Sequence, residues 1–330
     1  MAAEASRLPW IDFSGVDPSA PGDGEWSAVR ARVVDALATV GCFEAHYPAL
    51  APHRRAALFD AAVKPLFALP AGTKLRNSYG PGKPLFGYLG GAPGVTVAHE
   101  SLAIADRVDH DHVRAFADLM WPDGRGDANA GFCEAVHGAA AVMVGLEEAV
   151  RRMVVEGLGV AGYLDAMSES TRHVFRMSAY KAPGGGGASS ELFRYKTHQD
   201  LNTLTVICQH EVEGLEVRTR DGDGDGDGDG GWIPVKPSPA TLVVMAGNAL
   251  RAWTNDRVHA PVHRVAVGGD ATRYSAMLFA VPEFKIQAPE ELVDDEHPLR
   301  FKPHYMDDFI RFCVSQGAHH QDKLKAYCGV

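Results

Sequence analysis

Arg194-Tyr195-Lys196-Thr197-His198-Gln199-Asp200-Leu201-Asn202-Thr203 leads directly into the apolar run 204–208. In an extended segment alternate side chains share a face, so the imidazole of His198 and the carboxylate of Asp200 project together. One imidazole and one carboxylate make two-thirds of a facial metal triad, which a histidine from another strand would complete. His210, His259 and His263 are the candidates. A His-x-Asp triplet is common by chance, so its weight depends on what surrounds it.

Downstream, Val258-His259-Ala260-Pro261-Val262-His263-Arg264-Val265 begins another strand-like run, and Arg273-Tyr274-Ser275 opens the next. Arg273 and Ser275 again share a face. Arginine offers a planar fork suited to a carboxylate, and serine adds a hydroxyl donor. The region thus offers a three-ligand metal site and, one strand away, a carboxylate clamp. His259, just before Pro261, suits a turn.

The whole stretch 171–281 has β character. Short apolar runs at 173–180, 203–209, 215–219, 241–246, 262–267 and 275–281 are separated by turn formers, the pattern of an antiparallel sandwich or barrel. Two biased insertions interrupt it: a flexible glycine bridge at 184–187 and a low-complexity Asp-Gly repeat at 221–231. Upstream, 8–13 and 41–45 read as strands and 26–40 and 51–69 as helices, the second stopping at Pro70. The Gly-, Pro- and aromatic-rich 78–94 reads as loop. The longest helical pattern covers 129–158, with Phe132, Val136, Ala140, Met143, Leu146, Val150, Met153 and Val154 on one face and Gly159 past its end. The chain returns to helix near its end, with Phe309, Ile310, Phe312 and Cys313 as apolar candidates.

Composition narrows the function classes. With 330 residues, 46% hydrophobic and 22% charged, the chain has the balance of an ordinary globular protein. The net charge of −10, without local basic clusters, argues against nucleic acid as a partner. No apolar run approaches the roughly 18 residues of a membrane span, and the Ala-rich start lacks the pattern of a secretory signal. The five scattered cysteines form no CxxC pair, so a cytoplasmic, reduced protein is expected.

Other chelation patterns are weaker. Asp221, Asp223 and Asp225 followed by Gly226 mimic a calcium loop, but such a loop needs a bidentate Glu at its twelfth position, where Trp232 stands. His99-Glu100, His110-Asp111-His112 and His319-His320 have no third ligand nearby and read as surface loop.

His-x-Asp, then His263-Arg264-Val265, then Arg273-x-Ser275 resembles the plant iron(II)/2-oxoglutarate-dependent dioxygenases, with every part present and in order. Leu8-Pro9, Ile11-Asp12, Gly41-Cys42-Phe43, Leu69-Pro70, Tyr180 with Pro183, and the runs 212–217, 232–235 and 290–294 extend the likeness over nearly the whole chain. The stretches 41–45, 176–183 and 244–253 are most like the branch of glucosinolate alkenyl- and hydroxyalkyl-producing dioxygenases and their relatives. Two positions depart from the family pattern. Gln199 replaces the commoner Thr and, by strand alternation, is expected to point away from the metal; Ser178 stands where many members have Asn.

The resemblance implies Fe(2+) held by His198, Asp200 and His263. It implies 2-oxoglutarate held by Arg273, Ser275 and Tyr180, with ascorbate as reductant. Phe284 is a candidate substrate contact. The implied fold is mainly β with α: a double-stranded β-helix (jelly roll) core at 166–290, an N-terminal helical region at 1–165, and a C-terminal helical segment at 291–330 covering the pocket. The expected activity is hydroxylation or desaturation of a small molecule, such as a plant hormone or specialised metabolite, with O2 consumed and succinate and CO2 released. A monomer is expected. The rival readings are a catalytically silent jelly-roll metabolite binder and an ascorbate-dependent mononuclear iron oxidase.

Overall fold

The computed structural model describes residues 7–18, 20–22, 24–80, 82–83, 85–91, 98–105, 107–124, 127–181, 193–194, 197–218, 231–316 and 322–330. The glycine bridge at 184–187, Pro183, His319-His320 and all of the Asp-Gly repeat except Gly231 lie outside them.

The strands are β1 (Trp10–Asp12), β2 (Cys42–His46), β3 (His99–Ile104), β4 (Thr171–Tyr180), β5 (Phe193–Arg194), β6 (Leu204–Gln209), β7 (Leu215–Arg218), β8 (Trp232–Val235), β9 (Thr241–Ala246), β10 (His263–Val267) and β11 (Arg273–Pro282). They form a seven-stranded sheet in the order β1-β2-β9-β6-β11-β4-β3, facing a four-stranded sheet in the order β5-β10-β7-β8. This is the double-stranded β-helix. The first hundred or so residues contribute strands to both edges of the larger sheet, β1 and β2 on one side and β3 on the other.

The two sheets differ in pattern because they differ in cover. β7 alternates buried and half-buried residues, as expected of a sheet with one face to solvent. β6 is buried at every position, because the larger sheet has the smaller one on its inner face and helices on its outer face. Between the sheets pack Ile207, Leu215, Val217, Ile233, Val235, Val243 and Met245, with Met277 against them.

The helices are α1 (Gly24–Thr39), α2 (Pro52–Ala57), α3 (Lys64–Ala68), α4 (Ala71–Lys74), α5 (His110–Met120), α6 (Asp127–Gly157), α7 (Leu164–Glu169), α8 (Asn248–Trp253), α9 (Met306–Gln316) and α10 (Lys323–Cys328). The 31-residue α6 is the backbone of the helical layer. Its apolar stripe from Phe132 to Val154 is buried, and Gly159 (φ +76°) supplies the left-handed residue beyond its end. On its sheet-facing side Glu147 Oε2 lies 2.9 Å from His173 Nε2 on β4. Glu156 Oε2 accepts from Trp26 Nε1 of α1 at 2.7 Å.

Three expectations are corrected. The helix at 51–69 is not uniform: a π-helical turn, Leu58–Val63, separates α2 from α3. Pro65 follows it and has no N–H to donate within a helix, and a widened turn is one way to absorb that loss. His110-Asp111-His112 is not loop but the first turn of α5, capped by Asp109, whose side chain accepts from the His112 amide at 3.0 Å. His99-Glu100 is not surface loop either. It opens β3, where Glu100 is buried by Lys74 Nζ and Tyr88 OH, each 2.6 Å from its Oε1.

Candidate metal and cosubstrate site

His198 lies outside the regular strands but forms an isolated antiparallel bridge with His263, the first residue of β10. Each amide donates to the other's carbonyl, at 3.0 and 2.9 Å. This pairing places two histidines side by side, with ring centroids 4.3 Å apart. Two residues on, the chain turns towards α8, and the Asp200 carbonyl accepts from the Asn248 amide at 2.8 Å. That turn brings the Asp200 carboxylate between the imidazoles: its Oδ1 is 3.7 Å from His198 Nε2 and 3.8 Å from His263 Nε2.

One potential ligand atom from each residue lies within 4.8 Å of the other two, and no other such trio occurs among the described residues. Thr205 Oγ1 donates to Asp200 Oδ2 at 2.6 Å, which leaves Oδ1 to face the histidines. His263 Nδ1 donates to the Pro261 carbonyl at 3.4 Å, which favours the tautomer with a bare Nε2. Burial, then the neighbouring His198, holds the His263 pKa down at about 4. It is therefore neutral at pH 7, as a metal ligand must be. Of the other histidine candidates, His210 packs on Phe59 and Tyr274, and His259 is tied through its amide to the Leu37 carbonyl. Gln199 points aside, donating to the Ala260 carbonyl at 2.7 Å.

The registers of the larger sheet lay out the adjoining wall as a ladder. His99, Tyr180 and Arg273 form one rung. Ser101, Ser178, Ser275 and Gln209 form the next, and Ala103, Arg176, Met277 and Ile207 the third. Strand pairing keeps each rung on one face, and Met277 and Ile207 identify it as the face turned to the smaller sheet. Arg273 is 1% exposed, with its guanidinium 5.2 Å from the centre of the Tyr180 ring. Its Nη2 donates to Gln209 Oε1 at 2.8 Å, while its Nε and Nη1 and the Ser275 hydroxyl are buried without partners. Unsatisfied buried donors around a cation are costly unless an anion meets them. The cradle therefore suits a carboxylate. Phe284, two residues beyond β11, is half-buried against the main apolar core.

Sequence reasoning missed Thr205, Gln209, His99 and Arg176. Thr205 and Gln209 share one face of β6 by the period of two, but nothing in the sequence ties that face to Asp200 or Arg273. His99 lies on β3, which has no alternation to reveal it, and Arg176, on β4, gains its partner Ser101 only through pairing with that strand.

Comparisons with known proteins show the family. Residues 183–282 match the 2OG-Fe(II) oxygenase superfamily. The chain is 37% identical over 326 residues to an Arabidopsis thaliana protein described as a probable 2-oxoglutarate-dependent dioxygenase, AOP1.2, covering 97% of this chain and 95% of that one. A second Arabidopsis thaliana relative, described as a probable inactive 2-oxoglutarate-dependent dioxygenase, AOP2, is 31% identical over 100% of this chain and 99% of its own. Among solved structures, the rice dioxygenase for auxin oxidation superposes with a TM-score of 0.76 at 29% identity, over 98% of this chain and 100% of that one. The chain belongs to the 2OG-Fe(II) oxygenase superfamily, as a 2-oxoglutarate-dependent dioxygenase.

Proposed function

We propose that His198, Asp200 and His263 hold Fe(2+) and that Arg273, Ser275 and Tyr180 hold 2-oxoglutarate, for the hydroxylation or desaturation of a small plant hormone or specialised metabolite. One observation carries this reading: three ligand atoms converge within 4.8 Å beside a buried guanidinium with donors to spare. A facial triad leaves positions on the metal open to cosubstrate and O2. When bound, iron and 2-oxoglutarate supply the oxidising chemistry, with succinate and CO2 as by-products.

The chain's own residues supply placement. Thr205 fixes which carboxylate oxygen of Asp200 faces the centre. The Pro261 carbonyl orients His263. Gln209 holds one arm of Arg273, so that the fork meets a carboxylate in a single orientation. Tyr180 closes the cradle from below the guanidinium, with its hydroxyl held protonated by burial. The inward face of the larger sheet bounds one side of the site, and the C-terminal segment 291–330, with Phe284, would cover the mouth.

The same reading includes ascorbate as reductant and a monomer working in the cytoplasm. The five unpaired cysteines support a reducing compartment, and no helix among the described residues is long and apolar enough to cross a membrane. The intact triad weighs against a silent binder, the condition that the name of one relative suggests for that protein.

The test is incubation of the iron-loaded protein with 2-oxoglutarate, O2 and a panel of plant metabolites, read by mass spectrometry. The proposal expects one substrate to gain an oxygen atom or lose two hydrogens, with succinate formed in step. Product formation that persisted without 2-oxoglutarate would favour the ascorbate-dependent oxidase instead.

A further inference from the structure

The third rung of the inner wall carries a charge that the iron and cosubstrate sites do not use. Arg176 is 8% exposed and lies in register with Met277 and Ala103, one rung beyond the serines. Its Nη1 donates to Ser101 Oγ at 2.7 Å and to the Gly87 carbonyl at 3.3 Å, and its Nη2 to the Leu85 carbonyl. Every one of these acceptors is neutral. Among the described residues no Asp or Glu forms an ion pair with it, and the charges acting on it are those of Tyr180 and Tyr79. Its Nε makes no hydrogen bond within the described residues and is not among the sealed, unpartnered atoms.

Other inward-lying arginines differ from it. Arg55 is also buried and has only the Gln209 and Thr241 carbonyls as acceptors, but its Nε is sealed without a partner. Arg151 and the half-buried Arg251 are met by acids: Arg151 has Glu147 at 3.4 Å, and Arg251 has Asp256 and Asp322 at 2.6 and 2.9 Å. A buried cation without a counter-ion is expensive and rare. Its place in the molecule is also specific. The His99 imidazole, stacked on Tyr180 at 4.4 Å, is kept neutral first by burial, then by Arg176 and Arg273, with His198 a further contributor. By register, Arg176 lies on the same inward face as the Tyr180–Arg273 pair, two rungs along β4 from it.

We propose that Arg176 anchors an oxyanion head group of the substrate, a carboxylate or a sulfonate-like group, on the wall beside the iron. The proposal rests on the site reading above and deepens it by naming the substrate class: a small acid with an oxidisable carbon skeleton. The strap 85–87 orients the guanidinium through its carbonyls, and Ser101 fixes one nitrogen. The Nε edge is left for the ligand. An acid seated there would have one end fixed, with its carbon skeleton free to lie towards the metal, as regioselective oxidation requires.

The experiment uses the full chain loaded with iron(II) and 2-oxoglutarate. Anaerobically, the charge-transfer band of the loaded centre is recorded first, for wild type, Arg176→Met and Arg176→Lys. No band in wild type would overturn the site reading, and this proposal with it. With the band present, a panel of aryl and alkyl carboxylates and sulfonates is compared with the matching amides and sulfonamides. The readouts are thermal stabilisation and, in air, stimulated consumption of 2-oxoglutarate.

The proposal expects at least one acid to act saturably while its neutral counterpart does not. In Arg176→Met the half-saturating concentration should rise roughly ten- to hundredfold, the scale of a lost charged hydrogen-bond pair. Arg176→Lys, which keeps the charge without the fork, should fall between. Should the methionine variant lose its band or its fold, the comparison of acid with amide in wild type and the lysine variant still decide. Equal action of acid and amide, no action by any acid, or unchanged acid response in Arg176→Met would each overturn the proposal. So would a raised 2-oxoglutarate requirement with no change in the response to acid, which would place the cosubstrate itself on Arg176.

Discussion

Two buried polar clusters sit on strands β3 and β11, on either side of β4 in the larger sheet, and are built on opposite terms. Around Glu100, every charge is answered: Lys74 Nζ and Tyr88 OH each lie 2.6 Å from Oε1, and Lys181 Nζ lies 3.1 Å from Oε2. Burial pushes the Glu100 carboxyl up, but these partners outweigh it and hold the carboxyl below its usual range. Around Arg273, a cation with similar burial keeps two nitrogens unpartnered beside an unpartnered serine. The charge of the first cluster is neutralised within the chain, and the cluster is architecture, tying α4 and Tyr88 to β3. The second is complete only with an incoming anion. Burial alone does not separate structure from function; the tally of answered and unanswered donors does.

Substitutions should part the two clusters. The largest effect is expected at the metal. His198→Ala should abolish iron binding and turnover, measured by metal analysis and succinate formation. The His198 side chain is 46% exposed, so the midpoint of urea unfolding should shift by no more than about 0.5 kcal/mol equivalent. Glu100→Ala should do the reverse. Leaving Lys74 buried and unpaired costs about 3–5 kcal/mol of unfolding free energy, while the protein that remains folded keeps its 2-oxoglutarate requirement. Arg273→Ala should raise half-saturation by 2-oxoglutarate about ten- to hundredfold, with a smaller change in stability than Glu100→Ala, because it removes a charge the apoprotein leaves unmet. If Arg273→Ala unfolded the chain while Glu100→Ala spared it, the contrast would be inverted.

A smaller, graded effect should appear with pH. Burial holds His99 and His263 at about 4, below the ordinary value of 6.5. Between those values the unfolded chain binds protons that the folded chain does not. Stability of the metal-free protein should therefore fall as pH drops from 6.5 towards 4, beyond the loss that surface carboxylates alone produce. His99→Gln should flatten part of that slope in denaturant titrations across the window.

Much of this site could be read before the fold was known, because β geometry writes itself into sequence with a period of two. His198 with Asp200, and Arg273 with Ser275, are visible as pairs for that reason, and the β runs from 171 to 281 by their composition. α6 was legible because its stripe has one buried side. β3 was not. It is buried from Glu100 onward with no alternation, and its opening His-Glu is charged in sequence yet neutralised by Lys74, which lies 26 positions away. Sequence carries no direct sign of such long-range compensation. Arg176 was hidden for the same reason: its meaning lies in the absence of an acid nearby, which only the register of three strands can reveal. The π turn at Leu58–Val63 was foreshadowed by Pro65, a signal that was there to be used.

The central claim is that one centre binds metal and cosubstrate together, and anaerobic titration tests it most directly. Iron(II) and then 2-oxoglutarate are added to metal-free protein while the visible spectrum is recorded. The account predicts a weak charge-transfer band that appears only when both are present and is lost in His198→Ala. Iron and 2-oxoglutarate both bound, with no band, would contradict it, because the two would then occupy separate sites.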